Sequence, residues 1–330
     1  MLFLWKTYKT VFFSYAIMSL LNLWRTLIEK ENYMTRILNY PISSSEDAMT
    51  ILHFLKKQGY SHQILVNLKK TTEGILLNGV WARVNDRLSS GDLLTIQLVE
   101  TEASSDILPV AYPLSICYED EDILVIDKPS HMPIHPSMGN HDNTLANAVC
   151  CYMQKEDSFT FRCVNRLDKD TTGLTIIAKH ALSAAVLNNQ IVNRQIHRTY
   201  LAVCEGEVPA TGTIAAPIAR LCDSTIERCV DIENGERAVT HYTTLQYDPA
   251  KDLSLVKLQL ETGRTHQIRV HMKYIGHPLI GDFLYHPNYD HIHRQALHSY
   301  QLEFMHPITN QPLCLQAPLP ADMKCLFPLV

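Results

Sequence analysis

No two cysteines in this chain are spaced Cys-x-x-Cys, no apolar run near its start reaches the length of a membrane span, and only 19% of its residues are charged. Each shortage removes a class of protein. Nine cysteines, an odd number, stand scattered through the chain, with Cys150 and Cys151 as neighbours. That pattern excludes a disulfide scaffold and a cysteine-based zinc site, and it points to the reducing cytoplasm. The uncharged stretch 10–24 holds fifteen residues, short of the roughly 20 apolar residues that a spanning helix needs. Behind Lys6 and Lys9 it looks like the opening of a signal peptide, yet no small-x-small cleavage site follows. Residues 1–33 are therefore read as a mis-assigned extension or amphipathic tail ahead of a natural start at Met34, and no membrane association is expected. Six of the sixteen histidines, His266, His271, His277, His286, His291 and His293, cluster between positions 266 and 293. They match no H-E-x-x-H or related ligand spacing, which argues against a metallohydrolase. Neither a repeat nor a low-complexity segment is present.

The net charge of −5 is unpromising for a polyanion binder, but the charges are unevenly placed. Residues 88–127 carry nine acids and no lysine or arginine, whereas residues 48–72 carry Lys56, Lys57, Lys69 and Lys70 and no acid. Local fields, more than net charge, decide where a nucleic acid docks.

At 330 residues the chain exceeds the usual size of one domain. Ser45-Glu46-Asp47 offers a helix start before apolar Met49, Leu52 and Leu55, with Gly59 at its end. Ser61 can cap a second helix that turns Ile64, Leu65 and Leu68 inward and puts Lys69 and Lys70 in its last turn, where the helix dipole favours cations. Asn78-Gly79 between two apolar triplets predicts a tight hairpin, and a turn at 89–92 introduces a strand over 93–98. Two small helices with basic ends and a short sheet resemble the S-four-type RNA-binding domain, so residues 34–100 are assigned as an RNA-binding unit. Acidic, serine-bearing residues 101–115 read as a linker. Beyond it strands at 123–126, 200–203 and 256–260 alternate with a helix over 181–194, within a region assigned as 116–330.

Two segments concentrate chemistry. In Asn165-Arg166-Leu167-Asp168-Lys169-Asp170-Thr171-Thr172-Gly173 a loop dense in turn formers leads into a β-branched strand, so a rigid element aims Asp168 and Arg166 at whatever cleft lies beyond it. In Gly263-Arg264-Thr265-His266-Gln267-Ile268-Arg269-Val270-His271 polar and apolar residues alternate. As a strand this segment would put Gln267, Arg269, His271 and Lys273 on one face, a row of donors suited to phosphate or carboxylate.

Together with Arg198-Thr199-Tyr200, Asp127-Lys128-Pro129 and Gly281-Asp282, these segments resemble the RluA/RluD-type RNA pseudouridine synthases, in consistent order across about residues 116–320. The resemblance implies an α+β catalytic domain on a mixed, mainly antiparallel sheet with flanking helices; the strand periodicities only permit that topology. It implies an isomerase that detaches uracil from its ribose, rotates it and reattaches it through carbon, without a cofactor or metal. Carried over, Asp168 is the catalytic carboxylate, Arg269 its ion-pair partner and Tyr200 the aromatic against the base. Arg166 fills the space of the flipped uridine, and Arg264 and Gln267 join the four lysines in binding RNA. The expected partner is ribosomal RNA, with transfer RNA second, bound by a cytoplasmic monomer. A non-catalytic RNA-binding protein on the same fold is the alternative. Asn165 and Thr172 stand where the family usually has His and Ser, which would mark a subgroup with a different target.

Overall fold

The computed structural model describes residues 34–328 except 101 and 155–157. The proposed extension 1–33 lies outside the described residues. Residues 34–100 form a four-stranded antiparallel sheet in the order β1-β4-β2-β3, with β1 at Met34–Pro41, β2 at Ile75–Leu77, β3 at Val80–Trp81 and β4 at Leu93–Glu100. Two helices pack on it, α1 (Ile51–Lys57) and α2 (His62–Lys70). Asn78 (φ 52°) and Gly79 (φ 80°) supply the two left-handed residues that a tight hairpin turn requires. Ser61 Oγ accepts the amide of Ile64, and Ile64, Leu65 and Leu68 are buried, as the spacing predicts.

The first helix departs from expectation. Ser43, not Ser45, caps a single 3-10 turn at Ser44–Glu46, and Ala48 then adopts φ 60°, which no right-handed helix can pass through. The helix proper starts after Thr50, whose side chain accepts the amide of His53. The strand β1 left no clear mark in the sequence, because it is specified by pairing along its length with β4.

The larger part of the chain is a ten-stranded sheet. Its strands are β5 (Ser115–Glu119), β6 (Ile123–Lys128), β7 (Arg162–Cys163), β8 (Thr172–Ala178), β9 (His197–Glu205), β10 (Thr211–Ile214), β13 (Thr240–Asp248), β14 (Leu253–Leu260), β15 (Leu297–Met305) and β16 (Pro312–Gln316). The order is β10-β13-β14-β9-β15-β8-β6-β5, with β16 on β15 and β7 on β8. Only β8 and β15 run parallel, so the sheet is mixed and mainly antiparallel. A separate ribbon pairs β11 (Ile218–Arg220) with β12 (Arg228–Val230). Helices α3 (Leu145–Tyr152), α4 (Ala181–Val192), α5 (Gln267–Tyr274) and α6 (Ala321–Lys324) flank the sheet.

Alternation along β6 sends Leu124 and Ile126 into one cluster with Leu145 and Val149 of α3, and Ile123 and Val125 into another with Leu187 of α4. Covered on both faces, β8 is buried at all seven positions, with neighbouring Ile176 and Ile177 entering different apolar clusters. Residues 102–114 hold to the surface of this body through bonds such as Val110 N–H to Asn147 O, at 3.1 Å.

The segment expected as a strand over 267–273 is the helix α5. Gln267 and His271, one turn apart, both reach Thr240 Oγ1, at 3.0 and 2.9 Å. Arg269 and Lys273, on another face, both lie over the ring of Tyr285. Gln267, Arg269, His271 and Lys273 therefore do not share one face. The alternating pattern misled because Gln267, Arg269 and His271 are buried alongside Ile268, Val270 and Met272, so polarity does not report exposure.

Candidate active site

Asp168 sits in the loop between β7 and β8, and that loop is fastened from several sides. Asn165 is buried; its Nδ2 donates to Leu174 O (3.1 Å) and its Oδ1 accepts the amide of Ile176 (2.8 Å). Lys128, fully buried at the end of β6, donates from Nζ to Lys169 O (3.0 Å), Met132 O (2.9 Å) and Pro129 O (2.7 Å). Burial pulls the Lys128 ammonium down to about 7, with Asp170 and Asp168 resisting the fall. The strand then enters at Gly173, with φ +105°, where a Cβ would lie 2.3 Å from Ser299 O. No other residue allows β8 and β15 to approach this closely. The departures at Asn165 and Thr172 are thus absorbed inside the fold: Asn165 ties the loop to β8, and Thr172 Oγ1 bonds to His298 Nδ1 at 2.9 Å. Neither lines the cleft.

Arg269 approaches the loop from α5. Its Nε and Nη2 donate to the two carboxylate oxygens of Asp282, each at 2.7 Å, and its Nη1 donates to Asp168 Oδ2 at 2.9 Å. Side-chain exposure falls from 28% at Asp168 to 1% at Arg269 and 0% at Asp282, so the charge chain runs from the cleft into the interior. Burial opposes the guanidinium charge, but Asp282 and then Asp168 more than offset it and raise its pKa. Phe283 and Tyr285 flank the guanidinium, 5.5 and 5.0 Å from its carbon to their ring centres. Amides of Leu284 and Tyr285 donate to Asp282 Oδ1, which fixes the anchor itself.

Tyr200 projects from β9 into the same cleft, together with Leu260, Ile268 and Leu297. The cleft is open to solvent and encloses only about 70 Å³, well below the roughly 300–1,000 Å³ of pockets that bury a drug-sized ligand. Burial raises the pKa of the Tyr200 phenol, and Asp168 adds to the rise against the effect of Arg198. His266, left-handed at φ 58°, begins α5; its Nε2 is 3.7 Å from Asp168 Oδ2 and its Nδ1 is 2.9 Å from the Tyr285 hydroxyl.

The other expected site residues divide. Arg166 is exposed at the cleft rim. Arg264 lines the cleft too, with its guanidinium paired to Glu236 and bonded to Arg237 O at 3.1 Å. Gln267 is fully engaged: Oε1 accepts from Thr262 Oγ1 and Arg264 N–H, and Nε2 donates to Val239 O and Thr240 Oγ1. It shapes the turn into α5 and has no hydrogen-bonding group left for RNA, a correction to its expected role. Lys56, Lys57, Lys69 and Lys70 are exposed in the last turns of α1 and α2 and do not line the cleft. Asp282 and Tyr285 were assigned no role from sequence. The one available signal was a carboxylate thirteen residues beyond Arg269, inside Gly281-Asp282.

The mixed sheet thus presents, in one open cleft, a carboxylate anchored on a buried arginine with a tyrosine beside it, an arrangement suited to an enzyme site. Residues 122–274 match the family described as RNA pseudouridylate synthase. The chain belongs to the RluA family of RNA pseudouridine synthases, and it is accordingly an isomerase with an RNA substrate. It is 41% identical to the uncharacterized RNA pseudouridine synthase YjbO of Bacillus subtilis, over 84% of this chain and 98% of that one. It is 38% identical to the ribosomal large subunit pseudouridine synthase D of Escherichia coli, over 76% and 80%. Among solved structures, human RNA pseudouridylate synthase domain containing 1 superposes with a TM-score of 0.54 at 28% identity, covering 64% of this chain and 87% of that one. No helix among the described residues is long and apolar enough to cross a membrane.

Proposed function

We propose that this protein isomerises specific uridines of a large structured RNA, ribosomal RNA foremost and transfer RNA second, with Asp168 as the catalytic carboxylate. The observation that carries this reading is the 2.9 Å contact from Arg269 Nη1 to Asp168 Oδ2, made by a guanidinium that Asp282 already holds in place. Arg269 takes Oδ2, leaving Oδ1 for the ribose, where it acts either as nucleophile at carbon 1′ or as base at carbon 2′. In the overall reaction the N1–C1′ bond breaks, the uracil turns within the cleft, a C5–C1′ bond forms, C5 loses its proton and N1 gains one. Atoms and electrons balance without an added reactant. Tyr200 packs against the turning base and is the candidate general base for the C5 proton. Extruding the uridine costs a few kcal/mol of stacking, and Arg166 at the rim is placed to occupy the vacated position.

Residues 34–100 serve as the RNA-binding unit, 101–115 as the connection and 116–330 as the catalytic domain. Lys56, Lys57, Lys69 and Lys70 contact phosphates, and Arg264 contributes positive charge at the cleft. The ribosomal preference is supported by the names of relatives such as the Escherichia coli synthase. Nine cysteines without a disulfide agree with a cytoplasmic location, and we assign a monomer. Site-resolved pseudouridine mapping of total RNA, comparing a strain that lacks the gene with strains complemented by wild type or Asp168→Asn, tests the reading. Restoration of the missing sites by wild type alone is expected; equal restoration by Asp168→Asn rejects Asp168 as the catalytic group.

A further inference from the structure

The acidic run Glu119-Asp120-Glu121-Asp122 belongs to neither the cleft nor the lysine-bearing helices, yet every one of its carboxylates has a cationic or histidine partner. Glu119 pairs with Lys179 (2.7 Å), Asp120 with His306 (2.8 Å), Glu121 with Arg36 (2.9 Å), and Asp122 with both Arg36 (2.7 Å) and His180 (2.9 Å). Arg36 lies on β1, in the N-terminal sheet; Asp122, 4% exposed, and His180, 1% exposed, lie in the catalytic body. Asp120, Asp122 and His306 come close enough to suggest a metal site, but these pairings already use them.

Further contacts cross the same junction. Glu100, at the end of β4, bonds Arg162 (2.5 Å) and accepts the amide of Ala181 at the start of α4 (2.7 Å). The amide of Met34 donates to Ser158 Oγ at 2.7 Å. Apolar packing is continuous as well: Leu182 of α4 is part of the N-terminal unit's own core, with Ala185 and Val186 packed against it. Gly59, between α1 and α2, lies so close to α4 that a Cβ there would be 2.7 Å from Val186 Cγ2.

Units joined by a short connection are expected to move relative to each other unless their interface is apolar and well packed. Here it is, and the part-buried pairs Arg36–Asp122 and Arg162–Glu100 reinforce it. We infer that the N-terminal unit is a fixed part of the recognition surface, clasped by Arg36, Asp122, His180 and Glu100 and by α4, so that target choice depends on a set spacing between its lysines and the cleft. This rests on the reading of those lysines as phosphate contacts. A fixed second contact raises the effective concentration of the cleft at one uridine; a swinging contact spreads it over many.

The test is the double variant Arg36→Ala/Val186→Asp in the full chain. The amide of Ala181, bonded across the junction to Glu100, reports its opening by hydrogen exchange. Total RNA from a strain lacking the gene serves as substrate, with site-resolved mapping, kcat and KM as readouts. Faster exchange at that amide is expected, with KM at the wild-type sites raised about tenfold and new sites modified, while kcat stays within about twofold because the cleft is untouched. Unchanged exchange overturns the clasp. Faster exchange with the original KM and site pattern overturns its role in target choice. Asp168→Asn, measured in parallel, reports on the catalytic assignment: activity in that variant would reject the proposed chemistry and not the clasp.

Discussion

Arg269 is bound to Asp282 by two hydrogen bonds of 2.7 Å from which solvent is excluded, and only its third nitrogen is left for Asp168. The arginine is thereby aimed before any substrate arrives. Positioning of this kind lets a charged group act without reorganising at the moment of reaction.

Asp282→Ala should strip Arg269 of its buried partner. Breaking such a pair from one side costs about 3–5 kcal/mol of stability, because an unpaired charge stays in the interior. A clearly lowered Tm is expected, together with a fall in kcat as Arg269 loses its aim. Asp168→Ala, at a residue 28% exposed, should abolish turnover with little change in Tm. Thermal melts and single-turnover assays on the two variants check the contrast; equal Tm losses would mean that the chain of charges is one structural unit.

Tyr200→Phe keeps the ring and removes the hydroxyl. If the ring supports the base and the oxygen takes the C5 proton, kcat should drop while KM holds, whereas Tyr200→Ala should raise KM as well. Burial raises the phenol above its ordinary value, so the hydroxyl stays neutral near neutral pH and its ionised fraction grows only with alkalinity. The wild-type rate should therefore climb between about pH 7 and 9. A Tyr200→Phe profile with the same climb would remove the tyrosine from the proton transfer.

His298 gives stability a pH dependence. Fully buried on β15, with its imidazole between Thr172 and Ala317, it is pushed down to about 4 by burial from an ordinary value of 6.5. The unfolded chain binds the proton more readily than the folded one. Stability is therefore complete above about pH 6.5 and falls as pH drops toward 4, by roughly 3 kcal/mol. Denaturant titrations at several pH values should show that decline, and a His298→Gln variant should lose this component of it.

Replacing Lys56, Lys57, Lys69 and Lys70 with Ala should weaken RNA binding across sequences and flatten its salt dependence, by a slope of roughly three to four if each lysine neutralises one phosphate. Affinity measured over a range of salt concentrations checks this. An unchanged slope would place the docking surface elsewhere.

Local constraints were legible in the sequence. Asn78-Gly79 supplied the two left-handed residues of a hairpin, Ser61 capped its helix, and the β-branched run Thr175-Ile176-Ile177 marked the buried strand β8. Each depends on a few neighbouring residues and on backbone sterics, which leave few alternatives. That Asp168 would lie at a cleft was legible as well, because turn formers next to a rigid strand mark where a side chain can be aimed.

Tertiary structure decided the rest. The alternation from Gln267 to Lys273 fits a strand, and the packing of Gln267 and His271 on Thr240 makes it a helix. Asp282 became the anchor of Arg269 because folding brings them together, and nothing in its neighbours announces that. The acidic residues 119–122 were, in the sequence, only part of an acidic run, but Arg36, Lys179, His180 and His306 reach them from 58 to 186 positions away. The sequence by itself set the backbone turns, the apolar strands and the residue types at the cleft. Which charges neutralise each other, and so how the two parts of the chain are joined, depended on contacts between distant segments that no local pattern encodes.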